Sequence, residues 1–224
     1  GSGMHFHQHL FKGGRPVFYK AGGYADMSPQ GLGYIAGVLS HGAALLALTN
    51  PSTNSYKRLV PGFEAPVQAF FSLANRSAAI RIPKYAREPN EKRIEFRPPD
   101  ATCNPYLAMA AMLLAGVDGA RRKLDPTELG FGPFDENVFE TERPDLKALP
   151  TSLEAALAAL EADHVFLTRE GAFSEDTIDT WLRVKRRREV RELQVRPHPY
   201  EFELSYNCCK FASPSQTLSR LLAC

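Results

Sequence analysis

Residues 4–11 alternate, with Met4, Phe6, Gln8 and Leu10 on one side and His5, His7, His9 and Phe11 on the other. That period of two predicts a strand with one sheltered face, and it places three imidazoles on the open face. Gly13-Gly14 and Gly22-Gly23 mark turns, and Ser28 before Pro29 is an N-cap with proline at the first helical position. Leu32, Ile35, Leu39, Ala43 and Leu46 then recur at helical spacing, which predicts a single helix from Pro29 to about Thr49. Its faces carry little charge, so burial on most sides is expected.

The period returns to two further on. Residues 68–82 read as strand or extended chain, and in residues 93–97 Arg93, Glu95 and Arg97 share one face opposite Ile94 and Phe96. Asn104-Pro105 repeats the cap-plus-proline signal and opens a helix ending near Leu124, with Leu107, Ala111, Leu114 and Val117 as its apolar stripe. Residues 125–150, with four prolines, form a connection long enough to suggest function or mobility. Thr151-Ser-Leu-Glu154 predicts a capping box ahead of a helix carrying Leu153, Ala156, Leu157 and Leu160. Ser174 opens another, with Ile178, Trp181 and Leu182 apolar and Lys185 to Arg188 at its far end, where cations suit the helix dipole.

Composition narrows the class. With 44% hydrophobic and 23% charged residues the chain supports one substantial core or two small ones, which excludes disorder for most of it. Its apolar runs are far shorter than the ~20 residues of a membrane span, and no leader pattern opens it, so a cytoplasmic protein without membrane contact is expected. Cys103, Cys208, Cys209 and Cys224 lack the spacing of a disulfide scaffold or zinc site and read as free thiols. The basic run at Lys185 lacks the aromatic interleaving of a nucleic-acid surface and reads as a solvated helix end. Gly1-Ser-Gly-Met4 reads either as an added linker before an initiator methionine or as the interior of a motif.

Charge locates the chemistry. Net charge is +2 overall, yet residues 56–97 hold nine Lys/Arg against four Glu, a local balance of +5. The stretch Asn50–Pro66 sets Lys57, Arg58 and a lone Glu64 in a loop that reads as too polar and turn-rich for core, and such loops contact ligands. His5 and His7 on a strand lie roughly 6–7 Å apart along the backbone. They suit a shared ion, or equally a polar edge strand. Glu95 is open to two readings as well: a salt-bridged structural residue, or a metal ligand between anion clamps. Arg58, Arg76, Arg81, Arg93 and Arg97 outnumber the nearby glutamates, and arginine grips carboxylate and phosphate in bidentate fashion. A site handling both anions with a divalent ion outlines phosphoryl transfer. No GxxxxGK[ST] or GxGxxG occurs, so neither a P-loop enzyme nor a protein kinase is indicated.

In order along the chain, Gly1-Ser-Gly-Met-His-Phe-His-Gln8, Asn50–Pro66, Asn75-Arg-Ser-Ala78, Ile80-Arg-Ile-Pro83, Arg93-Ile-Glu-Phe-Arg97 and Asn104-Pro-Tyr-Leu107 resemble the motifs of the type I glutamine synthetase catalytic domain. The resemblance covers residues 1–206 and stops before a tail at 207–224; it also places Gly1 inside a motif. It implies an α+β fold, with a curved and mainly antiparallel sheet backed by helices. It implies ATP-dependent ligation of ammonia to the γ-carboxylate of L-glutamate through a γ-glutamyl phosphate. By motif, His5 and Glu95 would bind Mg2+ or Mn2+. Gly1, Arg58 and Arg97 would hold glutamate, and Glu64 would close over it and take a proton from ammonium. Arg76 and Arg81 would face the phosphates, Arg76 acting with Glu64 in catalysis, while His7, Gln8 and His9 would line ATP.

Departures from the pattern carry expectations too. His9 replaces a serine near the nucleotide, and Asn90 replaces a lysine that meets ATP, with Lys84, Arg87 or Lys92 as substitutes. Phe139 stands where regulated members carry a modifiable tyrosine, so that control is expected to be absent. Complete relatives form a dodecamer of two stacked hexamers. The residues here would be one part of such a homo-oligomer's site, and this polypeptide alone is expected to be inactive. A γ-glutamyl ligase using a polyamine or other amine and a noncatalytic scaffold are the competing readings.

Overall fold

The computed structural model describes residues 2–62, 65–136 and 145–206. Three strands open the chain, β1 (Phe6–Gln8), β2 (Phe11–Lys12) and β3 (Arg15–Pro16), followed by helices α1 (Pro29–Ser40) and α2 (Gly42–Thr49). Strands β4 (Phe71–Leu73), β5 (Ile80–Ile82) and β6 (Ile94–Phe96) come next. The remainder is helical: α3 (Pro105–Arg121), α4 (Leu153–Ala162), α5 (Val165–Thr168), α6 (Glu175–Lys185), α7 (Arg191–Gln194) and α8 (Pro199–Tyr206).

The main sheet has the order β1-β6-β5-β4, antiparallel at β1/β6 and β6/β5 and parallel at β5/β4, while β2 and β3 form a separate hairpin. The parallel pair is made over a short connection that turns at Ala74, whose φ is 64°. The class is therefore α+β, with an open mixed sheet in which antiparallel pairing predominates. Register builds two cross-strand rows. Phe6, Phe96, Ile80 and Phe71 stand opposite one another on the core side, and His7, Glu95, Arg81 and Ser72 stand opposite one another on the other side. The alternation expected at residues 4–10 holds: Met4, Phe6, Gln8 and Leu10 are half-buried, and His5, His7 and His9 are exposed.

The helical layer corrects three expectations. The helix foreseen from Pro29 to Thr49 is two helices bent by 70° at His41. His41 is buried, its Nδ1 2.7 Å from Asp163 and its Nε2 3.1 Å from Asp118, with its ring stacked on Phe166. Periodicity missed the bend because both segments are buried on most sides, and burial carries no information about direction. Among the described residues no single helix is long and apolar enough to cross a membrane.

In α3, Asn104 caps the first turn by accepting from Tyr106 and Leu107 N–H, as its sequence indicates. The apolar stripe is wider than expected: Leu107, Leu114 and Val117 are half-buried against the core and Ala111 is fully buried, but the deepest positions are Ala108, Met112, Ala115, Gly116 and Gly119. Backbone contact with α1 is the reason. A Cβ at Gly37 would lie 2.2 Å from the Ala115 carbonyl oxygen and 2.8 Å from Gly119, and one at Gly116 would meet the Tyr34 ring at 2.2 Å. Small residues let the helices touch, so the larger side chains flank the contact.

The third correction concerns helix ends. Ser152, not Thr151, caps α4, its Oγ accepting from Ala155 N–H, and the capping box appears instead at Ser52 and Ser55. The helix carrying Trp181 does not end at Lys185–Arg188 but continues through a π-helical turn (Arg186–Val190) into α7. Arg186 spans to Glu154 at 3.0 Å and Glu161 at 2.7 Å on α4, so part of the basic run ties two helices together. Leu153, Ala156, Leu157 and Leu160 are buried as foreseen, and Trp181 donates its indole N–H to the Ala47 carbonyl at 3.0 Å.

Gly37→Ala and Gly42→Ala separate packing from helix propensity. Overpacking at Gly37 is expected to cost about 1–3 kcal/mol or more. A Cβ at Gly42 meets only Leu149 Cδ2 at 3.6 Å, so alanine there is expected to be neutral or to stabilise by up to about 1 kcal/mol. Urea denaturation of the two variants is the measurement, and equal effects would contradict the close α1/α3 contact.

Candidate active site

The site grows from Glu95 at the centre of β6. Its side chain is 1% exposed, and both oxygens are engaged: Oε1 accepts from Arg97 Nη1 at 3.0 Å and lies 2.9 Å from His5 Nδ1, while Oε2 accepts from Arg81 Nε. Burial alone raises a carboxyl pKa; His5, Arg81 and Arg97 outweigh it and hold Glu95 at about 2. Strand register makes the cluster possible, because Arg81 and His7 are the direct cross-strand neighbours of Glu95. At His7, partial desolvation lowers the pKa, with Glu95 opposing and Arg93, Arg81 and His5 adding to it.

Two further arginines lock the surroundings. Arg97, 4% exposed, donates from Nε to the Arg76 carbonyl at 3.2 Å. Arg58 donates to the carbonyls of Pro98 at 2.8 Å and Arg97 at 3.2 Å, and its Nη2 lies 3.5 Å from His5 Nε2. Desolvation lowers its pKa, and Asp100 opposes that. Gly3 explains the close approach, since a Cβ there would lie 2.6 Å from Arg58 Nη2 and 2.7 Å from His5 Nε2. Sequence reasoning passed over Gly3; the glycine two residues before a strand histidine was the available signal.

The structure gathers His5, Arg58, Arg81, Glu95 and Arg97, and the main chain of Arg76, into one cluster. Arg76 itself is exposed on the turn after β4. The expected nucleotide set is split. His7 and His9 are exposed, His9 edge-on to Phe11, but Gln8 points inward, accepting from Tyr34 Oη at 2.7 Å and donating toward Met112 Sδ. A two-residue strand period requires this: Gln8 cannot share a face with its neighbours. Arg93, expected beside Glu95 and Arg97, turns to the Glu91 carbonyl and lies over the Tyr85 ring. Lys84, Arg87 and Asn90 are exposed, whereas Lys92 is buried. Gly1, Glu64, Phe139 and the tail at 207–224 lie outside the described residues.

The loop after α2 is another correction. Asn50, read as part of a loop too polar for core, is fully buried; its Nδ2 donates to the Pro98 carbonyl at 2.8 Å, and its Oδ1 accepts from Thr49. Ser55 and Tyr56 are buried as well. Polar side chains enter a core when each finds partners, and composition does not reveal partners.

His5 and Glu95 are the candidate cation ligands. An imidazole and a carboxylate suit Mn2+ or Mg2+, and His5 Nδ1 already lies against Glu95 Oε1, but among the described residues no third His, Cys, Asp or Glu joins them. The pair fits as part of a six-coordinate set. The remaining positions would fall to substrate, water or residues beyond this chain.

Comparison with known proteins agrees with the geometry. A family model described as glutamine synthetase, catalytic domain, matches residues 1–205. The glutamine synthetase of Microchaete diplosiphon is 54% identical over 213 residues, covering 93% of this chain and 44% of that protein. That of Nostoc sp. is 56% identical over 211 residues, covering 92% and 43%. Among solved structures, the Plasmodium falciparum glutamine synthetase superposes with a TM-score of 0.79 at 31% identity, covering 91% of this chain and 47% of that one. A GmaS/ADP complex gives 0.79 at 29% identity, covering 93% and 46%. The chain thus spans less than half the length of the proteins it matches.

Glu95→Gln tests the clamp by pH. A carboxyl held at about 2 in the fold against an ordinary 4.5 contributes stability that is complete above pH 4.5 and lost as pH falls toward 2. The stability gap between the native chain and the variant is expected to be flat from pH 7 to 5. It then narrows by up to roughly 3 kcal/mol toward pH 2, at 1.36 kcal/mol per pK unit. Denaturant titrations across that range supply the reading, and a gap that stays constant to pH 2 contradicts the clamp.

Proposed function

The chain belongs to the glutamine synthetase catalytic-domain family, and from that premise we propose that the protein containing it ligates ammonia to the γ-carboxylate of L-glutamate at the expense of ATP, through γ-glutamyl phosphate. The observation that carries this reading is the row His7, Glu95, Arg81 on one sheet face, with Arg97, Arg58 and the Arg76 turn closing around it. A face with that many guanidinium groups is suited to hold a carboxylate and a polyphosphate side by side.

Each residue then has a role. Arg76 and Arg81 neutralise the phosphates as charge moves from the γ-phosphoryl group, a preorganised electrostatic contribution. Arg58 and Arg97, with Gly1, orient glutamate, and His7 and His9 border the nucleotide. Gln8 supports β1 from behind, through Tyr34 and Met112. Glu64 lies on a lid that shields the acyl phosphate from water and accepts a proton from ammonium. His5 and Glu95 hold a Mg2+ or Mn2+ ion, which when bound offsets phosphate charge. Binding it requires Glu95 to exchange part of its arginine clamp for the cation. Among the described residues two protein ligands leave the ion under-coordinated, and the 224 residues alone are expected not to support turnover. The complete protein assembles as a homo-oligomer of stacked hexameric rings whose subunits complete one another's sites.

The test is glutamine and phosphate release from glutamate, ammonia and Mg2+-ATP, measured for this chain and for a polypeptide extended to the length of its relatives. Activity is expected only in the extended form. Arg76→Ala there is expected to lower kcat/KM at least about a hundredfold, on the order of 2.7 kcal/mol of transition-state stabilisation. Release of glutamine by the chain alone overturns the incompleteness of its site. An extended form that uses a polyamine in place of ammonia, or that is inert with every amine, overturns the assigned reaction.

A further inference from the structure

The row His7, Glu95, Arg81 ends at Ser72 on β4, the edge strand of the sheet. Ser72 is fully buried, yet its hydroxyl is directed at a residue far away in sequence: Oγ donates to Asp135 Oδ1 at 2.6 Å. The same oxygen accepts from Tyr24 Oη at 2.6 Å and from Leu73 N–H at 3.3 Å. The segment 131–136 follows the β4 edge, with Phe71 N–H donating to Phe131 and Phe134 N–H donating to Phe71.

A second tie lies two residues beyond β4. Asn75 Nδ2 donates to the carbonyls of Glu136 at 2.6 Å and Phe134 at 3.3 Å, while its Oδ1 accepts from Ser77 N–H at 2.9 Å and Ser77 Oγ at 2.7 Å. Those bonds close a turn around Arg76, and the Arg76 carbonyl is the acceptor for Arg97 Nε. Hydrogen bonds linked by short stretches of main chain therefore lead from Asp135, at Ser72 and Leu73, and from Asn75, at Ser77, through the Arg76 turn to Arg97 and its partner Glu95.

We propose that Asp135, together with Asn75, is a positioning residue for Arg76 and Arg97, so that the segment 131–136 sets the geometry of the cationic face from the edge of the sheet. A single carboxylate oxygen with three donors is a strong anchor when ionised. Its surroundings keep it so: burial works against the charge, but Ser72, Tyr24 and Leu73 outweigh it and lower the Asp135 pKa. Tyr24 keeps its proton, since burial and then Asp135 push its phenol up to about 12. The effect on nucleotide binding rests on the function proposed above; the effect on the Arg76 turn does not.

Amide hydrogen exchange on the chain separates this role from plain edge-strand stability. In Asp135→Ala, exchange at residues 74–77 and 94–97 is expected to rise at least about tenfold with α1 and α3 unchanged, and Asp135→Asn, which keeps an acceptor oxygen, is expected to restore most of the protection. Asn75→Ala is expected to loosen residues 76–77 and 97 in the same way, which keeps the test available if Asp135→Ala folds poorly. Unchanged exchange at 74–77 and 94–97, or an equal rise across the whole chain in every variant, overturns the proposal. Calorimetric titration of the extended form with Mg2+-ATP adds a functional arm: Asp135→Ala is expected to weaken binding at least fivefold and Asp135→Asn less than twofold. An extended form that binds no ATP would count against the proposed function, while the exchange result still decides the role of Asp135.

Discussion

A carboxylate buried in the middle of a sheet costs several kcal/mol unless it is paired and hydrogen-bonded on every side, and Glu95 imposes that demand on the rest of the chain. Arg81 meets it from the next strand, Arg97 from just past the end of β6 and His5 from beside β1. Each partner then needs its own support. Arg97 is steadied by the Arg76 carbonyl, and His5 lies against Arg58, which is fixed in turn by the carbonyls of residues 97 and 98. Asn50 shares the Pro98 carbonyl from below. One ionised group thus draws together four separate stretches of the chain, at residues 5, 50–58, 76–81 and 95–98.

The helical layer supplies the rigidity that such a cluster requires. α1 and α3 touch backbone to backbone through Gly33, Gly37 and Gly119, and Tyr34 fits over Gly116 while its hydroxyl reaches Gln8 on β1. The core side of the sheet is therefore registered against the helices at the strand that carries His5 and His7. His41 fixes the corner between α1 and α2 by contacting carboxylates from two other parts of the fold. Close packing of this kind transmits displacement and leaves few alternative arrangements. The proposed influence of polar contacts at β4, the edge of the sheet, on the arginines beside Glu95 depends on that packing.

Much of this was legible in the linear text. Alternation identified β1 and its faces, proline after a capping residue located the starts of α1 and α3, and a concentration of arginine around one glutamate marked the region of the site. Those signals are local: they depend on residues within a turn or two, and on side-chain types whose chemistry is the same wherever they stand. The ordered motifs likewise carried the family, because spacing within each motif is itself a local property.

The pairings were decided elsewhere. Nothing in residues 29–49 announces a 70° bend, since a helix buried all round looks the same whether it continues or turns. Composition made residues 50–56 a surface loop, but hydrogen-bond partners supplied by Leu46 and Pro98 admit Asn50 and Tyr56 to the core. Five arginines were candidates to meet Glu95, and strand register with the turn at residues 74–79 chose Arg81 and Arg97 and left Arg93 to Tyr85. The sequence by itself determined which residues tend to be buried, which begin a helix and what chemistry is available, because these follow from each residue and its near neighbours. Which charges face one another was settled only by the tertiary structure, because contact between residues distant along the chain is a property of register and packing.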